Sequence, residues 1–208
     1  MEYSKEFKAA LSAFSGSDKD KLIFRLLRKD KLLSKKLYFE LIDPETTDDK
    51  RNTMEEHVKE QVLLASKYVG NAQYFLSAVR KISAEITEHT KVTTDKFGEV
   101  SLNIFLVNKI LENNSDLSRQ RFDNVYKLYI YIINKIFKSL TLVKKLDEDY
   151  WIEINEYLND TLDKILENHY LQKLCINNGL DFNWFECDRI PDNIDQIMKD
   201  IKSQGFLR

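Results

Sequence analysis

Residues 118–146 read SRQRFDNVYKLYIYIINKIFKSLTLVKKL, the most apolar long run of the 208-residue chain. Phe122, Tyr126, Tyr129, Ile133, Ile136, Leu140 and Val143 recur at alternating intervals of four and three residues, which sets them along one face of an α-helix. Val125, Leu128, Ile130, Ile132, Phe137, Leu142 and Leu146 widen that face, while Gln120, Asn124, Lys127, Asn134, Lys138, Thr141 and Lys145 leave one narrow polar strip. A helix wet on only about a third of its circumference has to be packed by neighbours on its other sides. Residues 118–146 are therefore expected to form the long central helix of a bundle, spanning about 40 Å at 1.5 Å per residue. Asn134, Lys135 and Lys138 argue against a membrane span here. Tyr131 alone interrupts the polar strip, which marks it as the residue of this helix expected to touch a partner.

The composition extends the helical reading to the whole chain. Five glycines and two prolines leave few places for tight β-turns, whereas 43% hydrophobic residues supply a full core. The expected fold is all-α: a single-domain multi-helix bundle over residues 1–208, with HEAT-like helical pairs at its N-terminal end. At this length a chain buries roughly 70% of its unfolded surface and needs neither cofactor nor disulfide for stability. The net charge of -2 provides no global attraction to nucleic acid or anionic lipid. MEYSKEFKAAL at the start lacks a basic region followed by an apolar signal segment, and no run approaches 18 uncharged apolar residues. A cytoplasmic protein without membrane partners is expected. Cys175 and Cys187 are not arranged as CxxC, so reduced structural thiols are expected rather than a zinc site or a disulfide framework.

Outward from the central run, the N-terminal side carries three short amphipathic helices, over residues 3–14, a second stretch containing KLIFRLLRKD, and residues 31–42, with Ser17 expected to cap the second. Residues 17–36 hold eight bases against three acids. Lys21, Arg25, Arg28 and Lys29 could track phosphates if these helices bound nucleic acid. Solvated faces of amphipathic helices are the commoner source of such charge, and residues 43–60, with seven acids and three bases, offset it. Two more helices are expected before TKVTTDKFGEV, the most loop-like internal stretch, which makes residues 90–99 a candidate site region. Beyond the central run, residues 147–149 restart the chain into a helix with Trp151, Ile154, Leu158, Leu162 and Ile165 inward. Phe182, Trp184 and Phe185 then cluster in DFNWFECD, a group that either anchors the tail or, with Trp184 and Phe185 outward, contacts a partner.

Carboxylates three or four apart on a helix point the same way and can hold magnesium. Glu153 and Glu156, followed by Asp160 and Asp163, form one set. Glu85 and Glu88, followed by Glu112 and Asp116, form the other, and this ExxE with a later acidic pair resembles the helical nucleoside-triphosphate pyrophosphohydrolases, in which four carboxylates between two helices surround magnesium. Here the second half is ExxxD, one residue longer. Acids at helical spacing are abundant on any solvated helix. No GxxxxGK[ST], HExxH, GxSxG or ExxH occurs. Of the three histidines, His89 is the best-placed general base, because it abuts Glu88 and residues 90–99.

DKLIFRLLRKD with LYFELID, ITEHTKVTTDKFGEVSLN, YKLYIYII, and NNGLDFNWF with IPDNI together cover most of the chain. On these stretches the sequence resembles an uncharacterised family of bacterial all-helical proteins of about this length, some members of which are labelled deoxyuridine triphosphate nucleotidohydrolase. That label implies a nucleotide substrate and magnesium. The trimeric β-fold class of that activity is incompatible with this composition, and the helical class requires Glu85, Glu88, Glu112 and Asp116 to converge. With no complete catalytic motif, the residues favour a non-enzymatic binding or scaffolding protein that meets an unidentified protein partner. A magnesium-dependent pyrophosphohydrolase and a nucleic-acid-binding protein are the alternatives.

Overall fold

The computed structural model describes residues 2–113 and 122–208, with side chains from residue 125 onward in the second segment. All regular structure among the described residues is helical: α1 (Lys5–Ser12), α2 (Gly16–Lys29), α3 (Lys31–Leu41), α4 (Thr47–Ser66), α5 (Ala72–Thr93), α6 (Lys96–Asn113), α7 (Phe122–Val143), α8 (Trp151–Glu167), α9 (His169–Asn177) and α10 (Ile194–Ser203). Short 3-10 turns at Glu148–Tyr150, Phe182–Phe185 and Cys187–Arg189 join the later helices. No described helix is long and apolar enough to cross a membrane. The chain divides into two compact units, one of Met1–Pro44 and Lys91–Thr93, the other of Glu45–Thr90 and Thr94–Arg208.

In the first unit, side-chain caps start each helix. Ser4 accepts from the amide of Phe7, Ser15 from Asp18 and Asp30 from Leu33. The cap of α2 is thus Ser15, two residues before the serine expected from the sequence. The Ser15 hydroxyl also donates to the Asp18 carboxylate at 2.7 Å. This reciprocal pair needs a three-residue spacing, which places Gly16 and Ser17 inside the first turn. Helices α2 and α3 lie against one another.

The second unit contains the core. Its centre is α6, which packs against α4, α7 and α8 and buries side chains around its whole circumference, from Phe97 and Val100 through Leu102, Ile104, Leu106 and Val107 to Ile110 and Leu111. The apolar surface read from the sequence of α7 is buried as expected at Tyr129, Ile133, Ile136, Leu140 and Val143, with Leu128, Ile132 and Phe137 beside them. Residues 118–121 at its expected start lie outside the described residues. Burying a large aliphatic or aromatic side chain contributes roughly 1.5–3 kcal/mol, so α6 and α7 are major contributors to the unit's hydrophobic stabilisation.

Polar side chains inside this core fix its registers. Asn108 of α6 donates to the carbonyl of Tyr157 at 3.1 Å and accepts from the Thr161 hydroxyl at 2.5 Å, locking α6 to α8. Asn168 caps α9 by accepting from Leu171 and donates to the Tyr129 hydroxyl of α7 at 2.7 Å. Near the C-terminus, the Leu207 amide donates to Asn178 and its carbonyl accepts from Asn134, and Leu207 is buried, whereas Phe206 stays 45% exposed.

Candidate functional site

Helices α1, α2 and α3 contain no buried residue. Leu22, Leu27, Leu32 and Leu37 are half-buried, and large apolar side chains remain open to solvent: Phe7 at 48%, Phe24 at 61%, Tyr38 at 57% and Leu41 at 76%. Tyr3 and Phe7 stack on each other with centroids 5.2 Å apart. Amphipathic helices ordinarily hide such residues, because most helical stability in proteins comes from packing the apolar face. The four bases read as a nucleic-acid set lie on the same helix α2 and are all exposed; Lys21 is 3.5 Å from Asp18. Arg28 and Lys29 occupy the last turn, where cations complement the helix dipole.

Residues 90–99 are mostly helical rather than loop. Helix α5 runs on to Thr93 and α6 begins at Lys96, so the connection shrinks to Thr94, in the left-handed conformation with φ 55°, and Asp95. Asp95 ends the loop because its carboxylate caps α6, accepting from the amide of Gly98 at 2.8 Å. Its other oxygen receives the Arg51 Nε–H at 2.7 Å. Arg51 also reaches Asp48 at 3.0 Å and lies over the Phe97 ring at 4.7 Å. Burial opposes the charge on Arg51, but the two carboxylates more than restore it and hold its pKa above the usual value. Both oxygens of Asp95 and the guanidinium of Arg51 are thereby committed to structure.

Around this pair, Glu55 accepts from the Tyr157 hydroxyl at 3.4 Å. Burial raises the Glu55 carboxyl above the ordinary range, against the pull of Tyr157 and Arg51. Burial likewise holds the His89 imidazole below its usual value, opposed by Asp95 and reinforced by Arg51 and Lys50. His89 therefore favours the neutral form beside a completed ion pair. The sequence signal for this group was Asp95 three residues before Gly98, a cap pattern hidden inside a stretch that looked like loop.

Of the carboxylates in the magnesium reading, Glu85 and Glu112 border different grooves. Glu85 pairs with His57 at 2.9 Å and borders a groove of about 320 Å³ between α4 and α5. Glu88 is exposed on α5. Glu112 pairs with Lys109 at 2.5 Å and borders a separate groove of about 410 Å³ beside Asp160, Asp163 and Glu167 of α8. Asp116 lies outside the described residues. Among the described residues no group of three or more histidines, cysteines and acids is placed to hold a metal ion. Of the α8 set, Asp160 is paired with Lys164, while Glu153 and Glu156 are exposed.

The residues read as partner contacts are distributed as follows. Phe185 is 1% exposed and packs into the core. Trp184 meets Phe137 edge-on with centroids 6.1 Å apart. Tyr131 is half-buried, with the Arg80 guanidinium 5.8 Å from its ring centroid, and borders a groove between α5, α7 and α10. No protein-family model, curated protein or solved structure matches this chain.

Proposed function

We propose that the chain is a non-enzymatic binding or scaffolding protein of the cytoplasm, and that it meets a protein partner through the apolar sides of α1–α3. The carrying observation is that three amphipathic helices bury no side chain while Phe7, Phe24, Tyr38 and Leu41 stay exposed. Contiguous exposed apolar surface rimmed by polar residues marks interaction sites on soluble proteins. Helix α2 also carries the exposed bases Lys21, Arg25, Arg28 and Lys29, so the complementary surface is an apolar patch that also presents carboxylates. Aromatic anchors flanked by arginine are the residue types that carry binding energy in protein interfaces. In this reading α2 and α3 present their surface as a HEAT-like pair.

The test uses the full chain with a photo-crosslinking amino acid in place of Phe24, and a control placing it at Lys109 in the other unit. The expected result is one dominant protein adduct from position 24 only. With that partner purified, Phe24→Ala and Tyr38→Ala each weaken binding about tenfold or more. Unchanged affinity in both variants overturns the proposal. Magnesium-dependent turnover of a nucleotide, abolished by Glu85→Gln, would replace it with the pyrophosphohydrolase reading. Strongly salt-dependent retention on DNA, lost on reversing the charges of Arg25 and Arg28, would replace it with nucleic-acid binding.

A further inference from the structure

The groove between α5, α7 and α10, about 420 Å³ in volume, is lined by an unusual set of charges. At its inner side lies Lys135 of α7, 6% exposed. Its ammonium donates to the Ser83 hydroxyl at 2.5 Å and to the Asn103 side-chain carbonyl. Both partners are uncharged, and an ammonium has three donors. No ion pair joins Lys135 to a carboxylate among the described residues. Along the same groove stand Lys138, Lys199 and Lys202, with one acid, Asp195, which is already 3.2 Å from Lys199. Lys138 and Lys202 have no carboxylate partner among the described residues. Arg80 lies over the ring of Tyr131, 5.8 Å from its centroid. Tyr131 and Met198 supply the apolar part of the wall.

A buried ammonium without a counter-charge is costly, and proteins normally pair it or neutralise it. Here no carboxylate among the described residues forms an ion pair with it, Glu99 acts on it only at longer range, and the space beside it is lined by further cations and large enough for a small ligand. We propose that the groove binds a small oxyanion-bearing ligand, a phosphate or sulfate group free or carried on a small organic molecule, which supplies the missing counter-charge to Lys135 while Lys138 and Lys202 hold it from the rim. The site is distinct from the surface of α1–α3, and its fate is independent of the proposal made for that surface.

The charges that act on Lys135 define a proton linkage. Burial, the largest cause, and Lys138 on its own helix together lower its pKa to about 7 against the opposing pull of Glu99 of α6. From α10 the groove contributes Lys199 and Lys202 against Asp195, and from α5 Arg80 lies over the ring of Tyr131. An oxyanion stabilises the ammonium, so binding raises the pKa of Lys135 and takes up a proton wherever the free protein holds the amine neutral. Affinity is therefore greatest below about pH 7 and falls as pH rises through the free-protein pKa, by about tenfold per pH unit at the limit of one linked proton.

Sulfate is the first probe, because its charge is constant from pH 6 to 9. Titration calorimetry on the full chain at constant ionic strength is expected to show saturable binding that weakens about tenfold or more between pH 6 and 8.5, with proton uptake read from the dependence of the heat on buffer. Lys135→Met is expected to remove both the binding and the uptake. Lys138→Gln and Lys202→Gln, at exposed positions that do not threaten the fold, weaken binding several-fold and keep its pH dependence. Phenyl phosphate binding tighter than inorganic phosphate assigns an organic monoester that uses Tyr131 and Met198; equal binding assigns the free oxyanion. Absence of saturable binding by all three anions overturns the site. Equal binding by the wild type and the two rim variants does the same.

Discussion

Gly98 shows how one atom can be excluded from a structure. A Cβ built there would lie 2.2 Å from Asp95 Oδ2 and 3.1 Å from Arg51 Nε. The glycine is therefore required by close approach of an ion pair rather than by backbone conformation. Gly98→Ala has to push Asp95 aside, and with it the cap of α6 and the partner of a largely buried arginine. The expected loss is about 2–4 kcal/mol in urea unfolding; a loss under about 0.5 kcal/mol would show that the pair is dispensable. The sequence displayed Asp95 and Gly98 at cap spacing, but Arg51 lies 44 residues away and no local pattern joins it to them. Lys135 was hidden for the same reason. On a helical wheel it borders the polar strip, and only the packing of α5, α6 and α10 around α7 puts it out of solvent.

At the scale of the element, the period of the apolar residues carried most of the information. It identified the buried face of α7 because a central helix packed on several sides leaves a strong 3.6-residue signal. It was weaker for α6, whose side chains are buried all round, and such a helix has no contrasting polar face to reveal its position in the bundle. At the start of α5 the side chain of Asn71 caps the helix by accepting from the amide of Tyr74, but helix junctions were harder to place from sequence. They were misread where two candidates stood two residues apart, as at Ser15 and Ser17. Asn168 joins both levels, since it caps α9 and satisfies the hydroxyl of the buried Tyr129. Asn168→Ala removes a cap worth about 1 kcal/mol and leaves a buried hydroxyl unpaired at a further cost of about 1–3 kcal/mol. A combined loss of about 2–4 kcal/mol is expected in thermal unfolding, with Asn168→Asp recovering the cap more fully than the bond to Tyr129. Equal stability of Asn168→Ala and wild type would remove the residue from any role in joining α7 to α9.

For the molecule as a whole, composition was sufficient to identify an all-helical protein, and the division into two units was not visible in it. Three N-terminal helices with ordinary amphipathic patterns look the same in sequence whether or not anything covers them. Exposure is not written in such a pattern, and it is the observation on which the proposed binding role depends. The acidic sets illustrate the same limit. Spacing along one helix placed Glu85 beside Glu88, yet Glu112 shares its groove with carboxylates of α8 instead. Convergence of ligands is decided between helices, where a single sequence carries no period.

The two cysteines turn this architecture into a clock. Cys175 of α9 and Cys187 of the following turn are both free thiols with no exposed surface. Burial pushes each thiol up to about 12, with the charge of Asp188 adding to the effect at Cys187. Cys187 is held from α8, its amide donating to Asn155 at 2.9 Å. A thiol reagent must wait for the segment around each sulfur to open, so its rate measures the opening equilibrium rather than thiol chemistry. Labelling in native buffer is expected to run at least about a hundredfold slower than in urea, with both sites released together when the second unit unfolds. Immediate modification of either thiol would mean that α9 and the turns after it detach at almost no cost, leaving the core of α6, α7 and α8 intact.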